Sequence, residues 1–314
     1  MIKLSILMDA IENIDPFHDS TVAMILAAQK KGWEIYYFQP NDLYYDSGSV
    51  FIRAQTIKIN KVAKPFYQLS EVSIFPAEHF SIILQRKDPP FTMEYLYTTY
   101  LLEHVQKAGV RVLNNPASLR DANEKMFATW FSEFMSPTIV SSDKALIKVF
   151  IEQHKKVVLK PLDGMAGQSI FFIEHGDNNT NVSIETLTHN GTVHIMAQRY
   201  IPEIKTSGDK RIIMIDGKPI DYALARIPAG DDFRGNMARG ARVEAVLLTQ
   251  HEKNMCAVIG KTLREKGLSF VGLDVIGDYV TEINVTSPTG IQEIQKLTGV
   301  DPAEIFIDYL SEIV

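Results

Sequence analysis

A chain of 314 residues, 46% of them hydrophobic, carries enough apolar mass for a large core, and its length suggests two or three subdomains. Its net charge of −6 excludes the basic field of a general nucleic-acid binder, and single Cys256 excludes an internal disulfide framework and a cysteine-rich zinc site. No apolar run reaches membrane-spanning length and the early-charged start is too short for a secretion signal, so a soluble cytoplasmic protein is expected, without nucleic-acid or membrane partners.

Residues 2–8 read as a buried strand ending at Asp9, followed by a helix capped by Asp19 or Ser20 and stopped at Gly32. Strands at 33–38 and 80–85, an amphipathic helix over 93–107 and a strand at 110–113 continue the alternation. This pattern favours a doubly wound parallel sheet with ligand sites beyond the strand C-termini. Arg86-Lys87-Asp88 stands at one such end, held in a loop by Pro89 and Pro90, which cannot continue a strand. After Asn114-Asn115-Pro116 the pattern shifts. Helical segments at 123–134 and 143–154 bracket a strand at 138–140. Strands then dominate at 156–160, 169–174, 193–198, 211–215, 220–227 and 243–248, and a helix spans 250–266. Asp216-Gly217 is a hairpin turn signal. The expected division is an N-terminal α/β domain over 1–122 and a largely antiparallel α+β region over 123–314.

Three segments carry chemistry. In Gly272-Leu273-Asp274-Val275-Ile276-Gly277-Asp278-Tyr279-Val280-Thr281-Glu282-Ile283-Asn284-Val285, Glu282 and Asn284 share one strand face. A three-residue loop at 277–279 brings Asp274 beside them; a two-residue loop turns it away. Two carboxylates and an amide suit magnesium on a nucleotide, although a solvated hairpin explains the same residues. In the second segment, Lys160 ends an apolar strand and leads into Gly164-Met165-Ala166-Gly167, a point charge and close backbone N–H groups for phosphate, or else a glycine turn with a solvated lysine. The third runs over 228–242 with three glycines and Arg234, Arg239 and Arg242, which reads as a lid closing over anions or as a surface excursion. Familiar phosphate loops are missing: Gly260-Lys261-Thr262 matches the tail of one, but Met255 stands where its leading glycine is required. The eight histidines show no metal-ligand pairing on one helix face.

Taken in order, Arg86-Lys87-Asp88-Pro89-Pro90-Phe91, Leu119-Arg120-Asp121-Ala122-Asn123-Glu124-Lys125, Leu159-Lys160-Pro161-Leu162-Asp163-Gly164-Met165, Leu224-Ala225-Arg226-Ile227-Pro228 and Thr281-Glu282-Ile283-Asn284-Val285-Thr286-Ser287-Pro288-Thr289 resemble the prokaryotic glutathione synthetase family of the ATP-grasp ligases, over nearly the whole chain. The resemblance implies an ATP-grasp fold of two α+β lobes, a small central one over about 123–200 and a C-terminal one with the lid over about 201–314. It implies ATP bound by Lys125, Lys160, Gly164, Met165, Gly167, Gln198, Arg199, Tyr200, Ile201, Asp209 and Arg211. Asp274, Glu282 and Asn284 match ligands of two Mg2+ (or Mn2+) ions. Lys160, Arg211 and Arg226 take the catalytic positions, and Arg86, Lys87, Asp88, Arg226, Arg234, Asn236, Arg242, Ser287 and Thr289 the substrate positions.

The reaction so implied joins γ-glutamylcysteine to glycine at the expense of ATP, through an acyl phosphate, in a homo-oligomer that the resemblance makes a tetramer. Ala166, Ala241, Gly290 and Gln292 depart from the family pattern; an arginine is expected where Gln292 stands. A different ATP-grasp carboxylate–amine ligase and a non-catalytic ATP-binding regulatory protein are the competing readings, but Lys160, Arg226, Asp274, Glu282 and Asn284 are all in place.

Overall fold

The computed structural model describes residues 1–164, 167–228 and 242–314. Its first part contains β1 (Lys3–Leu7), α1 (Ser20–Lys30), β2 (Glu34–Phe38), β3 (Leu43–Asp46), β4 (Ser49–Ile59), β5 (Tyr67–Leu69), β6 (Ser73–Pro76), β7 (Ile82–Gln85), α2 (Met93–Lys107), β8 (Arg111–Leu113) and α3 (Pro116–Asp121). Strands β2, β1, β7 and β8 are parallel. Alternation along β1 explains the two helical layers. Leu4 and Ile6 pack with Val22, Met24 and Ile25 of α1, whereas Leu7 packs on the opposite side with Leu102 and Val105 of α2. The Asp19 side chain accepts from Val22 N and starts α1, and Thr92 does the same for α2. Beyond the expected parallel core, β3 to β6 add an antiparallel extension through the long strand β4.

The middle of the chain forms β9 (Thr138–Ser141), α4 (Lys144–His154), β10 (Lys156–Pro161), β11 (Phe171–Glu174), α5 (Thr180–Leu187) and β12 (Ile195–Arg199). Its four strands are antiparallel in the order β11-β10-β12-β9. Ile147, Phe150 and Ile151 of α4 and Ile184 and Leu187 of α5 cover one face of this sheet in a core of their own.

The last part contains β13 (Asp209–Ile215), β14 (Lys218–Ile227), β15 (Arg242–Leu247), α6 (Gln250–Glu265), β16 (Phe270–Ile276), β17 (Tyr279–Asn284), α7 (Ile291–Thr298) and α8 (Pro302–Glu312). The five strands are antiparallel in the order β15-β14-β13-β16-β17. Asp216 and Gly217, at φ 47° and 65°, make the two-residue turn between β13 and β14. A capping box between Thr249 and Glu252 opens α6.

The N-terminal and C-terminal sheets are sewn together. Asn114 Nδ2 donates to Phe270 O at 2.8 Å and Val285 O at 2.7 Å, while its Oδ1 accepts from Phe270 N at 3.0 Å. Arg86 Nη2 donates to Pro288 O at 3.1 Å. A shared apolar core runs from α1 through Ile213, Ile215 and Leu224 to α7 and α8.

Candidate active site

A cleft of about 710 Å3 lies where the three sheets meet. β16 runs from Phe270, against Asn114 and Arg86 of the N-terminal part, through Asp274 to Ile276. The apolar lining of Val158, Ile170, Ile201, Ile204 and Ile276 therefore marks one end, the charged residues the middle, and Asn13, Ile14, Asp15, His18 and Asp19 with Asp88 and Pro89 the other end.

The hairpin β16–β17 reaches its geometry by a route that sequence reasoning missed. Its turn has two residues, Gly277 and Asp278, with Ile276 opposite Tyr279. That loop length alone turns Asp274 away from Glu282. The register slips between Asp274 and Val275, so Thr281 is the extra residue of a bulge and Asp274 again stands opposite Glu282. Thr281 Oγ1 donates to Asp274 O at 3.2 Å and marks the bulge. The three-residue loop condition is therefore corrected, while the shared face of Asp274, Glu282 and Asn284 holds by pairing.

Cross-strand neighbours extend this row. Arg211 lies opposite Asp274, and Asp209 opposite Arg226. Arg211 binds Asp274 through Nε at 2.5 Å and Nη2 at 2.9 Å, a bidentate fork. Arg226 Nη2 bridges Asp209 Oδ2 at 2.5 Å and Asp274 Oδ1 at 3.0 Å. Burial would raise the Asp274 carboxyl, but Arg211 and Arg226 overcome it and hold it far below the usual range. Burial likewise opposes the Arg226 charge, and Asp209 and Asp274 more than restore it. Asp209 is pushed up to about 6 by burial despite Arg226, and its Oδ1 is buried without a hydrogen-bond partner. Such an atom suits a ligand hydroxyl.

Two lysines complete the middle of the cleft. Lys125, 4% exposed, donates to Gly164 O at 2.6 Å and Glu282 Oε1 at 2.9 Å. Lys160 Nζ donates to Gln198 Oε1 at 2.9 Å, and burial lowers its pKa, with Glu282 opposing. Gly164, Gly167, Gln198, Arg199, Tyr200, Ile201, Ser287 and Thr289 also line the cleft. The Arg199 side chain turns to Tyr279, whose hydroxyl it meets at 3.2 Å.

Other proposed positions are placed elsewhere. Arg86 lies beneath the cleft, bonded to Thr21 Oγ1 at 3.2 Å and to Pro288 O. Lys87 pairs with Asp9 at 2.8 Å, while Asp88 lines the cleft. Arg242 pairs with Glu244 at 3.1 Å on the exposed edge strand. Met165, Ala166, Arg234, Asn236, Arg239 and Ala241, with most of the proposed lid, lie outside the described residues. Gln292 accepts from Lys61 Nζ at 2.5 Å, so an arginine there would set two cations together.

Glu124 was missed. Its Oε1 accepts from Val285 N at 2.9 Å, Thr286 N at 3.1 Å and Thr286 Oγ1 at 2.8 Å, fixing the chain just beyond β17. Loop 13–19 was missed too, since its polar residues follow no period.

Asp274 and Glu282 offer carboxylate oxygens and Asn284 an amide oxygen on one face, the hard donors a divalent ion of the magnesium type takes. Among the described residues no three His, Cys, Asp or Glu side chains form a preformed cluster, so any ion here also needs the amide and ligand oxygens.

Family models match most of the chain: prokaryotic glutathione synthetase, N-terminal domain, over residues 2–120, and prokaryotic glutathione synthetase, ATP-grasp domain, over 124–299. The chain is 51% identical over 309 residues to glutathione synthetase of Coxiella burnetii, covering 98% of this chain and 96% of the relative. It is 52% identical over 300 residues to that of Pseudomonas putida, covering 96% and 94%. Among solved structures, D-cycloserine synthetase DcsG superposes with a TM-score of 0.68 at 15% identity, covering 99% of both chains. ATP-grasp ligase PsnB does so with a TM-score of 0.66 at 15% identity, covering 99% of both. At those identities the likeness concerns the fold alone, and the fold is ATP-grasp.

Proposed function

This chain belongs to the prokaryotic glutathione synthetase family, and from that premise we propose how its cleft joins γ-glutamylcysteine to glycine with ATP. The cysteinyl carboxylate attacks the γ-phosphorus, a new C–O–P linkage forms and ADP leaves. The glycine amine then attacks the acyl carbon, loses a proton and expels phosphate, leaving the peptide bond of glutathione.

The protein's task is alignment and charge neutralisation. The apolar end around Val158, Ile201 and Ile276 takes the adenine, with Gln198 to Ile201 as its edge and Asp209 for the ribose hydroxyls. Lys125 and Lys160 receive the phosphates, together with the backbone at Gly164 and Gly167. Asp274, Glu282 and Asn284 would hold two Mg2+ or Mn2+ ions, which supply positive charge to the triphosphate. Arg211 and Arg226, paired with Asp274, would meet the transferring phosphoryl group and the reacting carboxylate. Asp88, Ser287 and Thr289, which line the cleft, would face the acid substrate. The proposal takes the enzyme as a cytoplasmic homo-oligomer, tetrameric by family resemblance, acting on small molecules.

One observation supports this assignment most: Arg211, Asp274 and Glu282 form a single cross-strand row on β13, β16 and β17, beside Lys125. Phosphate release is the test. Purified protein should release phosphate from ATP when γ-glutamylcysteine and glycine are both supplied, and only then. Release with a D-alanine pair in their place overturns the substrate assignment.

A further inference from the structure

Loop 13–19 walls the cleft at the end away from the adenine pocket, through Asn13, Ile14, Asp15, His18 and Asp19. On the reading above, which this argument rests on, that end is left to the acid substrate. The loop is held from behind by the first turn of α7. Gln292 Nε2 donates to Pro16 O at 3.2 Å and also to Asp19 O. Lys61 Nζ donates to Gln292 Oε1 at 2.5 Å. Next to it, Glu293 Oε1 lies 2.6 Å from His18 Nδ1. Gln292 and Glu293 are each only 8% exposed, and neither lines the cleft.

The chemistry of an amide makes this arrangement directional. A lysine ammonium can only donate, so Lys61 fixes the oxygen of Gln292 on its own side. Both amide hydrogens are then turned to the loop carbonyls, and every polar atom of the side chain is used. A carboxylate of the same shape would set acceptor against acceptor at Pro16 and Asp19.

We infer that Gln292, oriented by Lys61 and assisted by Glu293, is a positioning residue that sets loop 13–19 and thereby governs affinity for the carboxylate substrate. Gln292→Glu, nearly isosteric, separates hydrogen bonding from packing. It should raise KM for γ-glutamylcysteine by about tenfold while KM for ATP and kcat stay within about threefold. Glu293→Gln keeps an acceptor for His18 and should change that KM far less than Gln292→Glu does. Hydrogen exchange needs no turnover: amides of residues 13–19 should lose protection in Gln292→Glu, with β1 and β7 unchanged. Unaltered protection of the loop, or an unaltered KM for the dipeptide, overturns the inference. If wild-type protein does not turn over this substrate pair, the functional reading fails, and the exchange measurement still decides whether Gln292 sets the loop.

Discussion

Asp274→Asn separates what the buried charge network does for the fold from what it does for the ligand. Asp274, 5% exposed, accepts two bonds from Arg211 and one from Arg226, which also pairs with Asp209. Two arginines and two aspartates thus balance; the variant leaves the group with one positive charge in excess. Breaking a buried pair by removing one partner costs on the order of 3 kcal/mol, and melting should fall by several degrees. The same change frees guanidinium groups for anions. One unit charge about 5 Å away at an effective dielectric near 20 is worth roughly 3 kcal/mol, and solvent in the open cleft reduces it, so metal-free ATP should bind about tenfold tighter. Ligated turnover should meanwhile collapse, since a proposed ion ligand is lost. Differential scanning calorimetry and calorimetric titration with ATP in the presence of chelator measure the two effects. A variant that melts with wild type and binds metal-free ATP no more tightly would refute the reasoning.

Glu282→Gln should slow phosphate release by about 100- to 1,000-fold, equivalent to ~2.7–4 kcal/mol, by analogy with an oxyanion donor. Its far-ultraviolet circular dichroism should match wild type, and wild-type turnover would remove the metal assignment. Gly260→Ala should destabilise by about 3 kcal/mol, because a Cβ at Gly260 would fall 2.0 Å from Gly217 O; an unchanged urea midpoint would show that α6 can shift without cost. Burial would raise Glu252, but its bonds to Lys210 and Thr249 N bring it below 4.5. A depressed carboxyl stabilises above its unfolded pKa and loses that contribution as pH falls through the folded value. The stability gap between wild type and Glu252→Gln should therefore be full at neutral pH and close below 4.5, and a pH-independent gap in urea titrations would contradict the pairing.

Much of this architecture is legible in the residues. The helix start at Asp19, the turn at Asp216-Gly217 and the strand carrying Glu282 and Asn284 are local signals, and local chemistry decides them. What escaped detection is non-local. The bulge at Thr281 is a register choice made jointly by β16 and β17, and no residue in that stretch announces it. β5 and β6 are short edge strands with no buried residue, and their identity comes from pairing with β4. Arg86 stands in a loop next to ligand-bearing segments, yet it reaches down to Pro288 O, because the neighbouring sheet, distant in sequence, offers an acceptor there. Glu124 offered no pattern, although its carboxylate binds three donors beyond β17. Gln292 read as a departure, and its logic rests on Lys61, more than two hundred residues away.

Asn114 links the first sheet to the third by three hydrogen bonds, and α1, α7 and α8 fuse their cores. These two parts therefore behave as one anvil. The four-stranded sheet keeps its own core against α4 and α5 on one face and meets the anvil through Met196 of β12 on the other, so a shift of that sheet would load this one apolar seam and leave those stitches whole.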